Sequence, residues 1–187
     1  ADPLLPAKAF ALSHPGCSFA LTLQTAAWAL GLADRVPARI EVAFEQRPVV
    51  KVPREISPSV FESSIGTIEA REVPCLRAES IVVHMAQRPG AVRSWQGALE
   101  WLPDVACEME PEPLLAELAG RPQSVWSRMG YLLSGMRPDL AVEIGRDFEP
   151  KSKARFGPRS NALRNDERWK VSDTLLPFDP RELEAVP

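Results

Sequence analysis

Residues 38–52 read Ala-Arg-Ile-Glu-Val-Ala-Phe-Glu-Gln-Arg-Pro-Val-Val-Lys-Val. Ile40, Val42 and Phe44 alternate with Arg39, Glu41 and Glu45 around Ala43. That period of two predicts a half-buried strand, because successive side chains of a strand point to opposite faces. Val49-Val50-Lys51-Val52 predicts a second strand, with Pro48 at its edge or in the turn before it. Residues 65–71, Ile-Gly-Thr-Ile-Glu-Ala-Arg, predict a third. Residues 38–73 therefore read as a small antiparallel sheet of meander type.

Helical texture lies on both sides of this sheet. Residues 19–32, FALTLQTAAWALGL, predict one largely buried helix, rich in Ala and Leu and closed by Gly31. After the sheet, residues 78–88 place Ile81, Val82 and Met85 on a helical period. Residues 94–102 repeat it with Trp95, Ala98, Leu99 and Leu102. Helices are also expected over 111–119, over 123–135 and from Pro138 to Ile144.

Beyond Asp147 the texture changes again. Residues 151–170 contain seven cations (Lys151, Lys153, Arg155, Arg159, Arg164, Arg168 and Lys170) against Asp166 and Glu167. Asn165-Asp166 suggests a turn, and Trp169-Lys170-Val171 a strand with which 154–156 could pair. Residues 177–187 read as an acidic, proline-containing tail. The fold class expected is α+β: a small antiparallel sheet packed against a bundle of helices, with a short basic β-containing C-terminal segment.

Composition narrows the function classes. The 187 residues suit one domain, 45% are hydrophobic, and the formal net charge of −3 carries no global nucleic-acid signature. The three cysteines, Cys17, Cys75 and Cys107, are far apart, which argues against a disulfide framework and a zinc site. No apolar run is long enough to span a bilayer. The 19 prolines are scattered as punctuation between elements. Residues 1–18 read as a linker or the entry to the domain. The start without Met, with Pro3-Leu4-Leu5-Pro6, favours a piece cut from a longer protein.

Candidate chemistry is sparse. Of the two histidines, His14 shares a His-Pro-Gly-Cys turn with Cys17, and His84 sits among apolar residues of the 78–88 helix. Turn formation accounts for the first and a satisfied structural histidine for the second. Glu108, Glu110 and Glu112 are interrupted by Pro111 and Pro113 and read as an acidic helix start. No phosphate-binding glycine loop, HExxH, GxSxG or calcium-loop pattern occurs. A non-enzymatic, cytoplasmic binding domain without metal or cofactor is expected. The basic 151–170 segment, with Phe156 and Trp169 among its cations, has three readings. It is a solvated face paired with the chain's own acids, a nucleic-acid contact, or a surface for an acidic protein. Arg155, Arg159, Arg164, Arg168 and Lys170 are its candidate binding residues.

Four blocks carry a family resemblance. Phe19 to Ile40, FALTLQTAAWALGLADRVPARI, resembles a segment of the AbiEi-type antitoxins. Ala78 to Pro89 resembles the helix that follows their sheet. Ser127-Arg128-Met129-Gly130-Tyr131-Leu132-Leu133 resembles their R-L-G-Y-L-L signature, and Asn165 to Val171 an ending R-W-x-V strand. The blocks occur in order over residues 19–176, the span expected for the antitoxin domain. The resemblance implies a regulator that opposes a nucleotidyltransferase-like toxin and assists operon autoregulation. It also implies an N-terminal winged helix that would supply most operator-DNA contact and is not in this sequence. The alternatives are a nucleic-acid-binding or protein-interaction domain without a toxin, and a nucleic-acid-processing enzyme assembled from distant carboxylates.

Overall fold

The structure, a computed structural model, describes residues 2–187. Its first element lies within the stretch read as a linker or domain entry. Leu5–Ser13 is a helix, α1, and Leu4, Ala7 and Phe10 are buried. Phe10 seats its ring against Phe19 and Phe44, with centroids 5.7 and 5.8 Å away.

The stretch expected as one helix over 19–32 divides. Phe19–Leu21 forms β1 and Leu23–Ala29 forms α2, with extended Thr22 between them. Helix propensity is overridden because β1 finds partners on both sides. It runs antiparallel to β2 (Ile40–Phe44) and parallel to β5 (Val73–Leu76). With β3 (Ile56–Val60) and β4 (Thr67–Ala70) they make a five-stranded sheet in the order β3-β2-β1-β5-β4.

This sheet is mixed, not an antiparallel meander. β2 pairs with β3 in parallel, Ile40 opposite Ile56 and Phe44 opposite Val60. A parallel neighbour requires the chain to return to its starting end. Residues 45–55 are that return, which is why Val49–Val52 is a loop and the strand begins at Ile56. Pro58 is tolerated because β3 is an edge strand. Nor is β2 half-buried: all five of its residues are covered. Glu41, facing α2, accepts the Thr25 backbone N–H at 3.1 Å, and Thr25 Oγ1 accepts the Glu41 N–H at 2.9 Å.

The bundle follows the expected periods with one exception. α3 (Ala78–Gln87) is buried from Ala78 to Ala86 and packs on α2, α5, α6 and α7. The helix expected over 94–102 is two, α4 (Trp95–Ala98) and α5 (Leu102–Cys107). Pro103 belongs in a first turn, so the helix restarts at Leu102. α6 (Pro111–Leu118), α7 (Gln123–Leu133) and α8 (Pro138–Asp147) complete the bundle.

A second sheet closes the chain, with β6 (Ala154–Phe156), β7 (Arg164–Asp166) and β8 (Val171–Asp173) in the order β6-β8-β7. Asn165-Asp166 lies within β7, and residues 167–170 make the turn instead. The expected tail over 177–187 is ordered against the bundle. Pro180–Glu182 is a short 3-10 helix, and the Val186 N–H donates to Met136 O at 2.9 Å.

Candidate binding surface of the small sheet

The small sheet is locked to the bundle by residues of two of the quoted blocks. Arg128 of α7 donates to Ala86 O at 3.0 Å at the end of α3, and through Nε to Arg155 O of β6 at 2.7 Å. Burial pulls the pKa of this guanidinium below its ordinary value. Gly130 leaves room for the Trp169 ring, since a Cβ there would lie 2.3–2.4 Å from ring carbons. Trp169 Nε1 donates to Ser134 Oγ at 3.1 Å, and the Trp169 N–H donates to Asp166 Oδ1 at 2.7 Å. The Tyr131 hydroxyl donates to Asp173 Oδ2 at 3.0 Å, and burial pushes that phenol's pKa upward. Asp173 also accepts from the N–H groups of Leu175 and Leu176 at 3.0 and 2.9 Å. The Arg-x-Gly-Tyr and Arg-Trp patterns of this chain thus build a joint.

With Ala154, Phe156, Val171 and Asp173 turned inward, the alternate positions face solvent. Arg155, Ser172 and Asn165 stand opposite one another across the three strands. Lys153 and Lys170 flank the neighbouring row, where the Ala154 N–H donates to Lys170 O at 2.8 Å. Lys153, Arg155 and Ser172 border a shallow depression of about 300 Å³. Lys151 lies on the approach to β6, its backbone N–H and that of Ser152 held by Gln123 Oε1 at 2.9 Å.

The five sequence-derived candidates divide here. Arg155 lies on the outward side of the sheet, and Lys170 is exposed in the turn before β8. Arg159 is exposed in the loop between β6 and β7, away from the strands. Arg168 lies over the Trp169 ring at 5.1 Å. Arg164 differs: it pairs with buried Asp173 at 3.0 Å and donates to Leu176 O, so its charge is held internally. Among the described residues no ion pair engages Lys151, Lys153, Arg155, Arg159, Arg168 or Lys170. Lys153 was not among the candidates, although its alternation with Ala154 and Phe156 in the sequence carries the signal.

Residues considered for chemistry have structural surroundings. The His84 ring stacks on Phe61 with centroids 4.7 Å apart, and its Nδ1 is 2.6 Å from Thr22 Oγ1. Burial above all, with Arg88 and Arg121 adding, holds its pKa down to about 3. The His14 ring stacks on Phe10, and the Cys17 N–H donates to His14 O at 2.9 Å, which closes the turn. Buried Glu117 accepts from Ser63 and Ser80 at 2.7 Å each and pairs with Arg121, tying the 61–66 loop to α3 and α6. Among the described residues no group of three or more His, Cys, Asp or Glu side chains could hold a metal ion. Among the described residues no helix is long and apolar enough to cross a membrane.

A mixed α+β body carrying a second, basic sheet defines an α+β domain. The sequence profile of the AbiEi antitoxin C-terminal domain matches residues 19–135, more than half of the chain, and the chain belongs to that family. An antitoxin domain is regulatory rather than catalytic. Its fold is similar to that of the RV2827C protein from Mycobacterium tuberculosis, known from a crystal structure. The TM-score is 0.72 at 24% identity, over 94% of this chain and 69% of that one. No curated protein sequence matches the chain. The profile ends at Gly135, before the small sheet, while the structural likeness spans nearly the whole chain.

Proposed function

We propose that this antitoxin domain counteracts a nucleotidyltransferase-like toxin and assists autoregulation of its operon. We also propose that it acts in the cytoplasm. In this reading the outer face of the small sheet contacts nucleic-acid phosphates. The observation that carries the contact is the pair of unpaired cations Lys153 and Arg155 around Ser172, with Asn165 in register and exposed Lys170 in the turn before β8. Arg159, Arg168 and Lys151 would widen it, and Arg164 would hold the sheet in shape. Lys and Arg on a strand surface position a protein on phosphates without reading bases.

The toxin reading is tested by co-expression with a nucleotidyltransferase-like protein encoded in a neighbouring gene. Relief of growth arrest supports the reading, and unchanged arrest removes it. The phosphate contact is tested by operator-duplex binding across a salt series. Replacing Lys153, Arg155 and Lys170 with Ala should lower the slope of log affinity against log salt by about 2–3, at roughly 0.9 per phosphate contact. An unchanged slope would exclude this face.

A further inference from the structure

The two sheets have four edge strands, and three of them are closed by the chain itself. On β3 the Ile56 N–H donates to Pro53 O at 3.0 Å, Arg39 Nη2 donates to Ile56 O at 2.7 Å, and Pro58 has no N–H to offer. On β6 Arg128 Nε donates to Arg155 O at 2.7 Å, and on β7 Arg181 Nη1 lies 3.5 Å from Asn165 O. β4 has no such cover. Its strand neighbour is β5, it contains no proline, and among the described residues no backbone group outside that pair bonds to Thr67 or Glu69. We propose that the β4 edge pairs with the β4 edge of a second copy of this chain, antiparallel about a two-fold axis at Ile68.

The hairpin fixes which groups point outward. Arg71 and Glu72 form a two-residue turn with positive φ, so Ala70 and Val73 exchange both of their backbone hydrogen bonds. The alternation makes Ile68 and Cys75 the next bonded pair. It leaves Glu69 opposite Pro74, which has no N–H to give. The N–H and C=O groups of Thr67 and Glu69 therefore face the open side. Free donors and acceptors in a row along a strand are matched by another extended strand, so the edge itself states what covers it.

The side chains select a second copy and the register. In an antiparallel pair centred on Ile68, Thr67 stands opposite Glu69 of the other copy, and the outward groups of both residues are used on both chains. The Thr67 hydroxyl can donate to that carboxylate, which has no ion pair within its own chain among the described residues. Ile68, half-buried in one chain, meets Ile68 of the other in the closer, non-hydrogen-bonded position. Sliding the pair until Glu69 faces Glu69 would set like charges directly opposite, which destabilises a ladder. The inference rests on neither the toxin nor the phosphate reading, because β4 belongs to the five-stranded sheet.

Sedimentation equilibrium of the whole chain from about 10 µM to about 1 mM should show reversible monomer–dimer exchange. Amide hydrogen exchange at Thr67 and Glu69 should slow as the dimer fills. Glu69→Pro removes an outward N–H and leaves the ladder to β5 intact, since an edge strand accepts proline. It should abolish the dimer and move the melting point by no more than a few degrees. Thr67→Arg sets a cation against each Glu69 and should tighten the dimer about fivefold, whereas Thr67→Glu should weaken it by a similar factor. A chain that stays monomeric throughout that range, a dimer that survives Glu69→Pro, or the reverse order of the two Thr67 variants would each overturn the inference.

Discussion

At Gly130 the structure asks for the absence of a side chain. The position is helical, where glycine costs about 1 kcal/mol against alanine, so propensity alone favours replacement. The Trp169 ring fills the space a Cβ would need. Gly130→Ala should therefore destabilise by about 1–3 kcal/mol, as overpacking of a core does. Urea unfolding followed by tryptophan fluorescence measures it, and a change within 0.5 kcal/mol of zero would refute the tight joint. Glu72 poses the opposite case. Arg71 and Glu72 both have positive φ, 51° and 64°, at the tip of the β4–β5 hairpin. Two-residue turns of that kind favour glycine at the second place. The Lys8–Glu72 ion pair is mostly exposed on the glutamate side and so contributes little. Glu72→Gly should gain about 0.5–1 kcal/mol, read as a melting point raised by a few degrees; a lower one would mean that the ion pair governs the turn.

Among the elements, the strands were the hardest to read and the helices after Ala78 the easiest. α3, α6, α7 and α8 keep their apolar period because each buries a stripe against neighbours. β1 is three residues long and looks helical by composition; its pairing with β2 and β5 decides it. The Val49–Val52 run has strand character but lies on the return path to β3, where no partner is offered. The small sheet is legible as β6 and the run toward β8, whereas β7 is not. Arg164, Asn165 and Asp166 have no strand propensity and are held by pairing with β8. At this scale Arg128 is the positioning residue, because it ties α3, α7 and β6 together. Arg128→Met should leave the global melting curve shifted by only a few degrees. It should speed hydrogen exchange at the β6 amides selectively, since sub-global opening reports local anchoring. Uniform acceleration over both sheets would contradict that assignment.

Across the whole molecule two buried groups set the pH response in opposite directions. Burial raises Glu41 from an ordinary value of 4.5 to about 7, so the folded chain holds a proton that the unfolded chain has released. Its contribution is full below about 4.5 and is lost as pH rises through 7. His84, held down to about 3 from 6.5, contributes fully above 6.5 and loses that contribution as pH falls toward 3. Stability from this pair should be level between about 4.5 and 6.5 and fall on both sides. Glu41→Gln keeps an acceptor for the Thr25 N–H and removes the alkaline loss. It should gain up to about 3.5 kcal/mol over the parent at pH 8, the interval from 4.5 to about 7 taken at about 1.4 kcal/mol per pH unit. Urea midpoints from pH 4 to 8 check this, and parallel profiles would exclude Glu41 as the source. By itself the sequence determined the α+β class, most helices after Ala78, the family blocks and the basic C-terminal stretch, because these rest on local period, composition and charge. Only the tertiary structure decided the mixed strand order, the helix within residues 1–18, and which cations face water. Strand partners lie far apart in sequence, and a charge such as that of Arg164 is free or held according to a neighbour, Asp173, that only folding brings beneath it.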